Sequence, residues 1–189
     1  MKIAVIGAGR IGGTLGDKWE AAGHEIVYGL RDTSSKPGAK SIGDALKSAS
    51  IVLLAIPGNA VVGFAREHAK DLDGQVVIDA TNNFGGSSMH SWSEISAVAP
   101  KAKLYRAFNT YGFDVFAKPE VGGERPDLFY AGPEGDGQKD VEQLVTDVGM
   151  RPVWVGGTDA VDVVDGVLRL WFTLSRHRGR RIAFQLISD

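Results

Sequence analysis

Apolar residues fall along this chain in two alternating rhythms. Runs rich in β-branched residues at 2–6, 25–29, 50–56, 75–79, 103–108, 127–131 and 152–155 read as strands. Between them, apolar positions three and four apart predict helices near 10–22, 41–48, 58–70, 91–98, 136–148 and 159–176. Val141, Leu144, Val145 and Val148 make one apolar face; Val161, Val164, Leu168, Trp171 and Leu174 make another. Ile51-Val-Leu-Leu-Ala-Ile56 and Val76-Val-Ile78 are apolar throughout, as strands covered on both faces are. Such alternation predicts parallel strands joined by crossover helices. The expected fold is α/β: a single domain over 1–189, with a mostly parallel, doubly wound sheet and a C-terminal helical appendage at 158–189. The longest irregular stretch, 80–91, starts where a strand ends, and open α/β sheets bind ligands there.

The first strand runs directly into Gly7-Ala8-Gly9-Arg10-Ile11-Gly12. A dinucleotide's diphosphate needs this order of residues. Gly7 permits a tight turn, Gly9 has no Cβ to hold the phosphates away, and Gly12 lets the helix pack against the strand. The N–H groups of the helix start then face the anion. A glycine fingerprint alone is weak, but here Ile11, Leu15, Trp19 and Ala22 follow at helical spacing. Gly23 then caps the helix, and Glu25-Ile-Val-Tyr-Gly29 resumes as a strand. The six residues from Gly7 to Gly12 are therefore expected to hold the diphosphate, and residues 1–189 to form a single Rossmann-type dinucleotide-binding domain.

The end of the second strand selects the coenzyme. NAD enzymes place a carboxylate there for the ribose hydroxyls, and NADP enzymes a cation. This strand ends in Gly29 and Leu30, and Arg31 comes next. A guanidinium forks onto a 2′-phosphate, with Ser34, Ser35 or Lys36 as further donors, so the expected coenzyme is NADP(H). Asp32 is the competing signal, since it can serve a ribose diol instead.

Bulk composition narrows the remaining classes. A net charge of -2 argues against a general nucleic-acid binder, which usually carries a basic surplus. The absence of cysteine removes disulfides, thiolate catalysis and thiolate metal sites. No apolar run reaches membrane-spanning length and a core strand follows Met1 directly, so a soluble, cytoplasmic protein is expected. The 25 glycines, many at the ends of apolar runs, suit strand-to-helix turns that touch a ligand.

With those residues in view, the chain resembles the NADPH-dependent oxidoreductases of coenzyme F-420, the 8-hydroxy-5-deazaflavin hydride carrier. It is also similar to the cytosolic oxidoreductase domain of the six-transmembrane ferric reductases. The marks are Lys2 to Gly12, the turn from Gly23 to Arg31, Ala55-Ile-Pro57, Asp79-Ala-Thr-Asn-Asn83, Ala107-Phe-Asn-Thr110, Asp127 to Gly132 and Gly149 to Gly156. The resemblance implies NADPH bound across the strand tips and hydride transfer to a flavin-like ring stacked on the nicotinamide. It also implies a homodimer, with Trp171, Phe172, Phe184 and Leu186 as interface residues. Two departures bear on the second ligand. Archaeal deazaflavin enzymes tend to carry His-Thr where Asn109-Thr110 stands, and their C-terminal segment runs longer. The ferric reductases' transmembrane part has no counterpart here.

Hydride transfer asks for two rings held in contact and water excluded, not for a triad. No residue is therefore assigned as catalytic. Ala55, Ile56 and Pro57 are expected to line the ribose and nicotinamide, and Thr81, Asn82, Asn109 and Thr110 to position the rings. Asn82 and Asn109 are also expected to touch the coenzyme, because side-chain amides both donate and accept. Against this stands their common use as loop caps. His24, His68 and His177 read as structural or solvated, and His90 as a surface residue able to reach a ligand. No pair has metal-ligand spacing, so no metal is expected. The run Arg176, His177, Arg178, Arg180 and Arg181 reads as a solvated helix end, with an anionic-tail landing patch as the sharper alternative.

The hydride acceptor is thus expected to be coenzyme F-420, with FMN or FAD possible in a flavin or ferric reductase. A silent NADP(H) sensor is the alternative from another class. A 2-hydroxyacid or imine reductase on the same dinucleotide domain loses ground: β-hydroxyacid-type reductases place a catalytic lysine in a separate C-terminal domain, whereas no lysine follows Lys139 and the chain has no room for that domain.

Overall fold

Each strand has two apolar faces to cover, and the helices divide between them. The computed structural model describes residues 1–188. The elements run β1 (Lys2–Ile6), α1 (Arg10–Ala21), β2 (Glu25–Gly29), α2 (Ile42–Ser48), β3 (Ile51–Leu54), α3 (Val61–Glu67), α4 (Ala69–Leu72), β4 (Val76–Asp79) and α5 (Trp92–Val98). They continue with β5 (Lys103–Arg106), α6 (Phe113–Ala117), β6 (Asp127–Ala131), α7 (Asp136–Val148), β7 (Arg151–Gly156) and α8 (Val161–Arg178). On one face Ile3, Val5, Leu53 and Ile78 pack with Leu15 and Trp19 of α1 and Val141 and Leu144 of α7. On the other, Ala4, Ile6, Val52 and Val77 meet Ala45, Leu46, Phe64 and Ile95. Both layers are buried, the signature of a doubly wound sheet.

The seven strands form one sheet in the order β2-β1-β3-β4-β5-β6-β7. The first five are mutually parallel. Here the structure departs from uniform strand–helix alternation: β6 meets β5 antiparallel, through the single pair Arg106–Ala131, and β7 runs parallel to β6. That pair joins the last residue of each strand, so Asp127–Tyr130 project beyond the tip of β5. The 107–126 connection carries only the five-residue α6, which packs against α1, so no helix returns the chain to the other end of the sheet. The sheet is still mostly parallel, as expected.

Other boundaries shifted. The expected helix at 58–70 is a 3₁₀ turn at Gly58–Ala60, then α3, then α4, with His68 between the last two. The helix expected at 159–176 starts at Val161 after a 3₁₀ turn and ends at Arg178, and residues 179–188 are not helical. That tail is bound by the rest of the chain. Trp171 Nε1 donates to the Ile182 carbonyl at 2.9 Å, Asp127 N–H to the Phe184 carbonyl at 2.9 Å, and Phe184 N–H to the Tyr111 hydroxyl at 3.1 Å. Arg180 Nε reaches Asp114 Oδ2 at 2.7 Å, and Arg181 donates to the carbonyls of Asp114, Lys118 and Glu120. The end of the basic run therefore clamps the tail onto α6. Trp171 and Phe184, both packed on Tyr111, are committed within the chain, leaving Phe172 and Leu186 as the exposed members of the expected interface set. Among the described residues, no helix is long and apolar enough to cross a membrane.

Candidate functional site

The glycines after β1 divide by function. Gly7 sits at φ +102°, and a Cβ there would lie 2.5 Å from the Ala55 carbonyl oxygen. At Gly12 a Cβ would lie 2.0 Å from the Gly7 carbonyl oxygen, so close packing of α1 on the strand turn requires glycine at both. Gly9 is different. Its φ of −72° and ψ of −167° suit any residue, and a Cβ there would meet nothing within 4 Å. Neither backbone nor packing calls for glycine at that position. The open space lies at the N-terminus of α1, whose first turn has neither a side-chain cap nor an acidic residue. Free N–H groups facing an open surface fit a diphosphate. Ala8 and Ile11 are half-buried beside this opening, while Arg10 is exposed with its guanidinium 5.2 Å from the Phe113 ring centre.

Next to this cradle lies a cavity of about 440 Å³. Leu30 and Arg31 from the end of β2, Ser41, Ile42 and Gly43 from the start of α2, and Ile56, Pro57, Ala60, Phe64 and His68 line it. It brings Arg31, after β2, together with Ile56 and Pro57, after β3. Ala55, one residue earlier, touches the cradle through its carbonyl and methyl. An apolar slot with one exposed guanidinium at its edge suits an adenosine carrying a phosphate. Ser34 and Lys36 do not line it. The Ser34 N–H and hydroxyl donate to Asp32 Oδ1 at 3.0 and 2.7 Å, and Lys36 Nζ lies 4.2 Å from the Tyr28 ring centre. Asp32 is likewise taken up by its own turn, and the Ser34 hydrogen bonds lower its pKa.

At the tips of β4 and β5 the sequence reading named four polar residues but missed the group that organises them. Arg106, the last residue of β5, is fully buried, and its register partner is Asp79, the last residue of β4. Arg106 Nε and Nη2 donate to Asp165 Oδ1 at 2.9 and 2.7 Å; Nη2 also donates to Asn82 Oδ1 at 2.8 Å, and Nη1 to the Asp79 and Thr81 carbonyls. Nη1 lies 3.1 Å from Asp79 Oδ2. Asp165 projects from α8, so this cluster ties the C-terminal helix to the sheet. Thr81 Oγ1 donates to Asp79 Oδ1 at 2.6 Å, Asn82 Nδ2 to the Asn109 carbonyl at 2.9 Å, and Asn109 Nδ2 to Asp165 Oδ1 at 3.0 Å. The structure therefore brings Thr81, Asn82 and Asn109 into one hydrogen-bonded network around Arg106, while buried Thr110 contributes no hydrogen bond to it. Asn109 Oδ1, Thr110 Oγ1 and Asp165 Oδ2 are buried there without partners.

Backbone strain marks the same place. Phe108 has φ +60°, the one non-glycine residue with positive φ among those described. Left-handed backbone costs a residue of this kind about 1–2 kcal/mol. Its buried ring meets Trp19 and Phe116 edge-on at 5.5 and 5.9 Å, which holds the turn and presents Asn109 to Asp165. A charged residue inside the apolar stretch Leu104-Tyr-Arg-Ala-Phe108, level with an aspartate on the neighbouring strand, was the available signal for Arg106.

His90 is less exposed than a loose surface histidine. Its Nδ1 accepts the Trp92 N–H at 3.1 Å, so the proton sits on Nε2, 3.3 Å from Asp162 Oδ1. His90, Asp162 and Asp165 place one candidate ligand atom each within 4.8 Å of one another. The proton on Nε2 blocks metal ligation there, and the group reads as a hydrogen-bonded cluster. His24 bridges Met1 N and Asp147 at 2.9 and 2.8 Å, and His68 packs on Phe64 at the cavity wall. His177 is exposed near the end of α8.

Comparison with known proteins bears on the same region. Residues 2–83 match the family model described as NADP oxidoreductase, coenzyme F420-dependent. For that segment the family resemblance is shown. It spans the cradle, Arg31, the cavity wall and the β4 tip, and stops before Arg106. A protein from Arthrobacter sp. FB24, provisionally described as an F420-dependent NADP-reductase, superposes with TM-score 0.85 at 21% identity over 100% of both chains. The hypothetical protein SMa0349 from Sinorhizobium meliloti superposes with TM-score 0.69 at 26% identity, covering 100% of this chain and 96% of that one. An imine reductase from Myxococcus stipitatus in complex with NAD⁺ follows with TM-score 0.68 at 19% identity, covering 92% of this chain and 62% of the other. No curated protein sequence matches the chain. The fold is therefore that of NADP(H)-dependent oxidoreductases.

Proposed function

We propose that this protein is an oxidoreductase that binds NADP(H) and passes a hydride between it and a deazaflavin such as coenzyme F-420, or a flavin-like ring. The observation that carries the reading is Gly9: open space above an uncapped helix start, where neither backbone nor packing needs a glycine. When bound, the reduced nicotinamide supplies the hydride. The chain's part is placement. Gly7 to Gly12 offer N–H groups to the diphosphate. Arg31, at the edge of the 440 Å³ cavity, pairs with a 2′-phosphate, and Ile56 and Pro57 wall the adenosine from water. Asn82 and Asn109, fixed through Arg106 and Asp165, set the floor at the β4 and β5 tips.

A ring as acceptor is supported by the amide and hydroxyl side chains at the tips of β4 and β5, which suit chemistry residing in two rings. We take residues 1–188 to act as one dinucleotide-binding unit, working in the cytoplasm. Exposed Val163, Leu170 and Phe172 on α8 support a second copy of the chain as partner.

The test mixes purified protein with NADPH and, separately, oxidised deazaflavin, FMN and FAD, and follows each ring's visible band. Bleaching with the deazaflavin alone is the expected result. Turnover with FMN or FAD alone moves the protein to flavin reductases. Coenzyme binding without turnover of any ring leaves an NADP(H) sensor and overturns the proposal.

A further inference from the structure

We propose that the buried Asp79–Arg106–Asp165 cluster stores a proton on Asp165 Oδ2 and gives it up when a positively charged, oxidised nicotinamide occupies the strand tips. Asp165 thereby makes binding of the oxidised coenzyme proton-linked. This rests on the reading that the tips of β4 and β5 receive NADP(H).

The two oxygens of Asp165 have opposite surroundings. Oδ1 accepts three N–H groups, from Arg106 Nε, Arg106 Nη2 and Asn109 Nδ2. Oδ2 is buried and has no partner. An ionised carboxylate spreads its charge over both oxygens and seeks donors for each, whereas a neutral acid has one accepting oxygen and one hydroxyl. The side chain is only 4% exposed, so bulk solvent barely reaches it.

Charge counting points the same way. One guanidinium, Arg106 from β5, serves two carboxylates, Asp79 from β4 and Asp165 from α8. A surplus buried negative charge is costly, and one bound proton removes it. The other charged or titratable groups around Asp165 are His90 from the 80–91 segment and Asp162, one turn earlier on α8. Loss of hydration raises the Asp165 pKa above the usual carboxylate range, with Asp79 adding to it, and outweighs the downward pull of Arg106 and His90.

The cluster connects to the tips through packed atoms. Asn82, held by Arg106 Nη2, lies against Gly58 in the turn after β3, where a Cβ would come within 2.6 Å of the Asn82 backbone. A positive charge over those tips lowers the affinity of a nearby carboxyl for its proton. The balance is simple. The Oδ2–H bond breaks, its electron pair stays on a carboxylate facing Arg106, and the proton passes to solvent. In the direction that oxidises the coenzyme, the acceptor gains a hydride and needs one proton, and the released proton supplies that demand.

The experiment is calorimetric binding of NADP⁺ and of NADPH at pH 7 in Pipes and in Tris, buffers with different ionisation heats. Both coenzymes carry the 2′-phosphate, so the difference between them reports the nicotinamide charge. Wild-type protein should release up to one proton with NADP⁺ and none with NADPH. Its NADP⁺ affinity should rise with pH by up to about tenfold per unit, and Asp165→Asn should abolish both effects while still binding. A second measurement needs no variant: ¹³C-carboxyl spectra of aspartate-labelled wild type should show one acid protonated at neutral pH that ionises on adding NADP⁺. Binding of both coenzymes with buffer-independent heats, or the absence of such a resonance, overturns the inference and leaves the oxidoreductase reading intact. No heat with either coenzyme overturns both.

Discussion

Replacing Arg106 with methionine tests whether the β4 and β5 tips are held by charge. The guanidinium makes hydrogen bonds to Asp165, Asn82 and the carbonyls of Asp79 and Thr81, all within the core. Methionine fills much of the same volume but offers no donor, so Asp79 and Asp165, at 1% and 3% exposure, lose their cation. Breaking one side of a buried ion pair costs about 3–5 kcal/mol. Set against a stability of roughly 5–15 kcal/mol, this is a large share. For a chain of this size it corresponds to a fall in melting temperature of about 6–20 °C.

The sign with pH is fixed as well. Burial already raises the Asp165 pKa, and the variant removes the Arg106 cation that pulls it down, so its folded state binds that proton still more tightly than the unfolded chain does. Its deficit relative to wild type should therefore shrink as pH falls from 8 towards 5. Urea melts followed by circular dichroism at those two pH values measure it. A loss below about 1 kcal/mol, or one identical at both pH values, would refute the reasoning, because the carboxylates would then not depend on Arg106 for their charge balance.

Further outcomes follow from single contacts. Gly9→Val should leave the melting temperature within about 2 °C of wild type, since its side chain starts into open space, yet abolish NADPH retention on gel filtration. Gly12→Ala should melt well below both, because its Cβ falls on the Gly7 carbonyl; equal stability of the two variants would contradict the division between ligand-facing and packing glycines. Arg31→Ala should weaken NADPH binding roughly ten- to a hundredfold and NADH binding hardly at all, and equal losses would show that Arg31 reads no phosphate. Tyr111→Phe removes a hydroxyl that donates to the Asp127 carbonyl and accepts the Phe184 N–H, so limited proteolysis should cut the 179–188 tail sooner. Unchanged cleavage there would mean that the Trp171 and Asp127 hydrogen bonds and the arginine clamp hold the tail without Tyr111.

Much of this molecule was legible before any coordinates, for physical reasons that differ from element to element. The strands could be read because a sheet covered on both faces forces unbroken apolar runs, as in Ile51–Leu54 and Val76–Ile78. Strand direction could not, since Asp127–Ala131 looks the same read from either end of a sheet and only its connection decides the sense. Helix α6 escaped because Phe113–Ala117 is too short to show a period. Arg31, Ile56 and Pro57 were placed by rules about strand ends, and the structure gathers them around one cavity.

The network at the β4 and β5 tips was only half visible. Thr81, Asn82 and Asn109 stood out as polar residues at strand ends, but the charges that fix them lie far apart in sequence. Asp165 in particular sits within a helix whose apolar stripe of Val161, Val164, Leu168 and Trp171 masks it. Its partner Arg106 is 59 residues away, a distance that no local pattern spans.

The account turns on whether the chain grips a phosphorylated dinucleotide through the Gly7–Gly12 cradle and Arg31. Isothermal titration of the wild-type protein with NADPH and with NADH, at one salt concentration, tests that most directly. The account predicts one site per chain, with NADPH bound at least about tenfold more tightly than NADH. Equal affinities would remove Arg31 from the selection, and no heat with either at millimolar concentration would contradict the claim itself.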